Sequence, residues 1–251
     1  MDAVPLDTQH VLIALLAFLA GGFVKGAAAI GLPTVSLAIL STGMDLRAAV
    51  ALMAIPAACT NIYQALQGGA FRHLMRRHWP LVLSCLVGTS GGTFILFAFD
   101  PVVLSGTLGT IICLYVPFAF LTVPVTMRPE SERLWGPPVG VLTGMIAGAT
   151  GSLLLPLMVY IDGLRLDAAR FVQLTGIAAT AITVPIFLGV TGRLAAAGDL
   201  PWQAFLVLIP AFAGLWAGQS VRARLSQPRF RALVLIVLFV LGANLARRAV
   251  L

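Results

Sequence analysis

Apolar residues run through this chain in long blocks divided by short polar breaks. Eight blocks can be read: 11–40, 46–66, 79–99, 102–125, 135–161, 168–190, 202–221 and 232–245. Most match the length of a helix crossing a hydrocarbon core about 30 Å thick at about 1.5 Å per residue. The first block does not. It is too long for one upright crossing and too short for two, and its middle carries Gly21, Gly22, Lys25, Gly26, Gly31 and Pro33. The fifth block is broken in the same manner by Gly140, Gly144, Gly148, Gly151 and Pro156. The pattern predicts an all-α polytopic membrane protein of eight apolar segments, with the first segment of each half interrupted and re-entrant.

The halves look related. Gly43-Met44-Asp45-Leu46-Arg47-Ala48-Ala49 matches Gly163-Leu164-Arg165-Leu166-Asp167-Ala168-Ala169 at an offset of 120, and that offset also pairs Gly31 with Gly151, Thr60 with Thr180 and Gly69 with Gly189. The hydrophilic stretch 128–134 divides the chain into a first repeat, 1–127, and a second, 135–251, and is expected to be a cytoplasmic linker. Charge then bears on orientation. If all eight segments cross once, the arginines divide eight against seven, which is no bias. If segments one and five return to the side they entered, eleven lie on one side: Arg72, Arg76, Arg77, Arg128, Arg133, Arg165, Arg170, Arg222, Arg224, Arg229 and Arg231. Only Arg47, Arg193, Arg247 and Arg248 lie opposite. The second arrangement obeys the positive-inside rule. It makes the repeats inverted and puts both termini outside the cytoplasm.

Composition agrees with the membrane reading: 59% hydrophobic residues, 10% charged, and a mean hydropathy of +1.00. The net charge of +7 is therefore read as loop arginine that sets orientation, not as a nucleic-acid surface. Cys59, Cys85 and Cys113 lie inside apolar blocks with no metal-ligand spacing, which suits packing. The first residues lack the basic start and small-residue cleavage site of a signal peptide.

The candidate chemistry is sparse. Lys25 is a cation within an apolar block, which is costly in lipid and usually functional. It is either an anion ligand beside the first interruption or a lysine snorkelling to an interface. After each interruption a short arm would begin at mid-depth, its N-terminal N–H groups attracting anions. Gly26, Gly31, Thr34 and Ser36 belong to the first such site, and Thr150, Gly151 and Ser152 to the second. Asn61, Gln64 and Gly68 share one helical face; Gln173, Gly176, Thr180 and Thr183 share another. The polar members of these faces are either site residues or interhelical hydrogen bonds. Gly88, Gly91, Gly92, Gly214 and Gly218 read as close helix contacts. Apart from Lys25 no block interior holds Asp, Glu, His or Arg, and there is no zinc pattern, Ser/His/Asp set or P-loop. An enzyme and an ATP-driven pump acting alone are thereby disfavoured. The partners expected are a small anionic substrate and the lipid bilayer, with no nucleic acid, metal or cofactor.

Gly22-Phe23-Val24-Lys25-Gly26, followed by Gly31-Leu32-Pro33, resembles the first motif of the sulfite exporter TauE/SafE family. The run from Gly140 through Gly151 to Pro156 is similar to its second-repeat motif. The chain departs from the pattern at Ala27-Ala28-Ala29-Ile30, where a Gly-Phe-Gly-like run is common, and it lacks a triple glycine in the second motif. The resemblance implies an inner-membrane carrier of sulfite, organosulfonates or related sulfur-containing or carboxylate anions. Three readings follow: an exporter driven by the membrane potential, an importer of the same anions, or a non-transporting subunit that anchors a partner enzyme.

Overall fold

A computed structural model describes residues 8–120, 127–151, 156–196 and 203–222, with positions 239, 243, 246 and 247 besides. Every element among the described residues is a helix: α1 (Thr8–Ala28), α2 (Leu32–Leu40), α3 (Leu46–Leu66), α4 (Phe71–Ala98), α5 (Pro101–Phe120), α6 (Pro129–Thr150), α7 (Leu157–Gly163), α8 (Ala168–Ala196), α9 (Gln203–Leu206) and α10 (Leu208–Arg222). Five stretches are long and apolar enough to cross a membrane: His10–Ala28, Leu46–Leu66, Phe71–Ala98, Ala168–Gly192 and Ala204–Arg222. The expected eighth segment, 232–245, falls almost wholly outside the described residues.

Helix boundaries follow local chemistry. Asp45 caps α3 by accepting from the amides of Arg47 and Ala48, and Asp167 accepts from the amide of Arg170 at the start of α8. Pro101 opens α5, where its missing N–H costs nothing. The stretch 128–134, expected as a linker, is helical instead, and so is the polar break before the third apolar block. Residues 128–134 start α6, with Pro129 in its first turn and Glu130 and Glu132 facing the positive end of the helix dipole. Arg72 to His78 form the first turns of α4. That helix bends at His78 (φ −111°, ψ 16°), just before Pro80, whose ring would clash with the carbonyl one turn earlier.

The first block does double back. Ser36 Oγ donates to Ala17 O (3.0 Å), and the His10 ring lies 3.2 Å from Gly43 O, so α2 runs antiparallel along α1. From His10 to the level of Leu32, beside Gly21, is eleven residues of α1, or roughly 16 Å. The fifth block doubles back too: Tyr160 Oη donates to Glu132 O (2.9 Å) and the Met127 amide to Gly163 O (2.9 Å). Two helical hairpins result, α1–α2 and α6–α7.

These contacts sort the chain into two ends. Residues 10, 43, 47 and 97–99 share one end, where the Arg47 guanidinium donates to the carbonyls of Leu96, Phe97 and Phe99 and closes α4. Residues 67–70, 77, 127, 132, 163, 173 and 219 mark the other. There Arg77 holds Glu132 in a two-bond pair (2.6 and 2.8 Å), joining α4 to α6. Following each helix between the ends places Arg72, Arg76, Arg77, Arg128, Arg133, Arg165, Arg170 and Arg222 at this second end, with Arg47 and Arg193 at the first.

The most extensive packing is α4 against α6 and α1 against α10, with α3 crossing α8. Both extensive pairs are parallel and glycine-lined. Gly22 and Gly26 of α1 meet Ala211 and Leu215 of α10, while Gly214 and Gly218 meet Leu19 and Phe23. Gly140, Gly144 and Gly148 of α6 meet Leu81, Cys85 and Thr89 of α4, and Gly88 and Gly92 meet Val141 and Met145. Small residues every fourth position let helix backbones approach, which drives association where lipid removes the hydrophobic gain. Gly91 faces open space and takes no part.

Candidate functional site

Both hairpins break at a residue in the left-handed region. Gly31 (φ 112°) precedes α2 and Gly151 (φ 71°) ends α6. Ala29 also adopts a positive φ (68°), which a residue with a Cβ adopts only under constraint. The constraint is visible: Gln64 Nε2 donates to Ala29 O at 2.7 Å, so α3 clamps the turn. Gly31→Ala should destabilise the protein by about 1–3 kcal/mol, because the added methyl meets Val24 and the φ is outside ordinary L-residue space. A thermal melt of the purified variant in detergent checks this.

Lys25 lies one turn before that break and is only 3% exposed. Its Nζ donates to Thr60 Oγ1 (3.0 Å) and to Asn61 Oδ1. Thr60 can accept because its own proton goes one turn back, to Pro56 O at 2.7 Å. Asn61 turns its amide to α8, donating to Ala179 O (3.3 Å) and Thr183 Oγ1 (3.4 Å). All these partners are neutral. The ion pairs Arg77–Glu132 and Arg170–Asp167 both lie away from Lys25. A buried cation without a counter-charge is expensive, by several kcal/mol after relaxation.

A small enclosed cavity brings the two breaks together. Lys25, Gly31, Asn61, Gly151 and Thr183 line it, with Ile30, Pro33, Ala147, Ile182 and Ile186 among its apolar wall. Its volume of about 20 Å³ for the centre of a water-sized sphere accommodates roughly one water. An ammonium has three donors, and Lys25 places two on protein, which leaves one for this space. Gln64 adjoins the site through Ala29, and its Oε1 has no hydrogen-bond partner among the described residues.

Of the residues expected from sequence, Lys25, Gly31, Asn61 and Gly151 converge here. Others are turned elsewhere. Gly26 packs against α10, and Ser36 is engaged by Ala17 O. Gln173 ties α8 to the end of α3, donating to Ala65 O (2.9 Å) and accepting from the Ala70 amide (2.9 Å). Thr180 and Thr150 donate to their own helices at Gly176 O and Ile146 O. Thr34 is buried and does not line the cavity. Ser152 lies outside the described residues. Thr60 joins the site without having been assigned to it, and Thr183, expected on its helical face as a site residue or an interhelical contact, lines the cavity. One signal for Lys25 was available and stronger than its depth: it is the only lysine in the chain, every other fixed cation being arginine.

Among the described residues no group of His, Cys, Asp or Glu is placed to hold a metal ion. The arrangement sets one ammonium beside the two backbone breaks. A family model described as Sulfite exporter TauE/SafE matches residues 13–245. No curated protein and no solved structure matches the chain.

Proposed function

The chain belongs to the sulfite exporter TauE/SafE family, and from that membership we propose that it exports a small sulfur-containing or carboxylate anion by alternating access. It is a multi-pass membrane protein of a transporter family. The observation that carries the reading is Lys25, buried with no carboxylate partner among the described residues, at a cavity shared by the two hairpin breaks. An anionic ligand supplies the missing counter-charge.

Inverted repeats are the known architecture for such a site. The packing supports that reading: exchanging α1 for α6 and α10 for α4 turns one glycine-lined pair into the other, while α3 and α8 exchange across their own crossing. The α1–α2 hairpin opens at one end of the bundle and α6–α7 at the other, as inversion requires. The arginine-rich second end is then the cytoplasmic one, and the N-terminus lies outside. On this reading the protein sits in the inner membrane, with residues 1–127 and 135–251 as the repeats.

Direction follows from the potential. A negative interior drives an anion outwards by about 2.3 kcal/mol per charge per 100 mV. In proteoliposomes loaded with sulfite or methanesulfonate, efflux is expected to rise when the interior is made negative and to fall when the polarity is reversed. Efflux indifferent to an imposed potential would contradict potential-driven export.

A further inference from the structure

Resting on the anion-transport reading, we infer that the site accepts singly charged anions bearing an apolar group and rejects dianions. Among the described residues Lys25 is the one charged side chain lining the cavity. The neutral donors nearby are already engaged: the Asn61 amide on Ala179 O and Thr183 Oγ1, and the Thr60 hydroxyl on Pro56 O.

A monoanion beside Lys25 makes a neutral pair, so the closed, loaded state carries no net buried charge. A dianion leaves one negative charge uncompensated in the same low-dielectric space, a condition that costs heavily. The wall away from Lys25 reinforces the choice. Ile30, Ile182 and Ile186 are apolar and offer nothing to a second oxyanion group. The class that fits is a short-chain sulfonate or carboxylate, with inorganic sulfite carried in its singly protonated form.

The test uses the full-length wild-type chain in proteoliposomes and two matched pairs at equal ionic strength. Methanesulfonate and sulfate share tetrahedral sulfur and differ by a methyl in place of a charged oxygen. Ethanesulfonate and ethane-1,2-disulfonate share the carbon chain and differ by one charged group. Initial efflux of each monoanion is expected to exceed that of its dianion by roughly a hundredfold. Comparable rates within either pair overturn the inference and leave the transport reading standing. If none of the four anions moves, the transport reading fails and this inference fails with it.

Discussion

Replacing Lys25 with methionine is expected to lower anion flux by about a hundredfold or more while leaving the protein folded. Losing one partner of a desolvated charge interaction costs about 2–5 kcal/mol, and that loss falls on the liganded state. The effect on the unliganded protein is smaller because two terms oppose. Removing the ammonium ends an unpaired burial, whereas Asn61 Oδ1 and Thr60 Oγ1 lose a donor, costing about 1–3 kcal/mol. Lys25→Arg should not restore flux. A planar guanidinium holds its donors in a rigid fork, which does not reproduce the lysine's paired contacts with Thr60 Oγ1 and Asn61 Oδ1. Flux in proteoliposomes and a thermal melt of each variant separate the two effects. A Lys25→Met protein that melts normally and transports normally would remove Lys25 from the site.

The glycine-lined helix pairs yield the second large effect. Gly26→Leu and Gly144→Leu should give little or no folded protein, because even a methyl at these positions would overlap the carbonyl oxygens of Leu215 and Cys85. Gly26→Ala and Gly144→Ala should each cost about 1–3 kcal/mol or more, since backbone cannot step aside as a side-chain tip can. Gly91→Ala is the matched control: it lies in the same glycine-rich stretch as Gly88 and Gly92, has nothing within 4 Å, and should be neutral. Monodisperse yield in mild detergent and melting temperature report both outcomes. A stable Gly144→Leu protein would contradict the close parallel packing of α4 and α6.

How much of this was legible in the sequence depends on what each feature requires. The hairpins were legible because block length is set by membrane thickness, and the breaks because Gly31 and Gly151 supply a backbone conformation that other residues avoid. The two-ended arrangement was legible from arginine counts, since charge is sorted by the bilayer and not by packing. Lys25 was legible because a cation in an apolar block stands out. What stayed hidden was the direction in which small polar side chains point. Ser36, Gln173 and Thr180 are of the right type at the right depth, yet their hydrogen bonds go to Ala17, to Ala65 and Ala70, and to Gly176. Only the relative rotation of neighbouring helices decides that. Gly26 stands next to Lys25 in sequence but a helix turns about 100° between them, so one faces α10 and the other α3.

The repeat offset shows a similar limit. A single value of 120 matches the breaks at Gly31 and Gly151, but the caps of α3 and α8 are Asp45 and Asp167, two residues out of step. The aligned partner of Asp45 is Arg165, which takes a positive φ (51°) in the preceding turn and caps nothing. Loops absorb such slips without moving the helices they join, so a fixed offset matches the two breaks and misassigns individual positions. The halves also differ where it matters most, since the position 120 residues after Lys25 is Met145.

The central claim is that Lys25 holds an anion between the two hairpin breaks, and a melting curve tests it most directly. Methanesulfonate titrated into the purified full-length protein should raise the melting temperature steadily, since a ligand at a hundred times its dissociation constant stabilises by about 2.7 kcal/mol. The same titration of Lys25→Met should leave the curve where it was. An equal rise in both proteins would place the anion somewhere other than Lys25 and contradict the account.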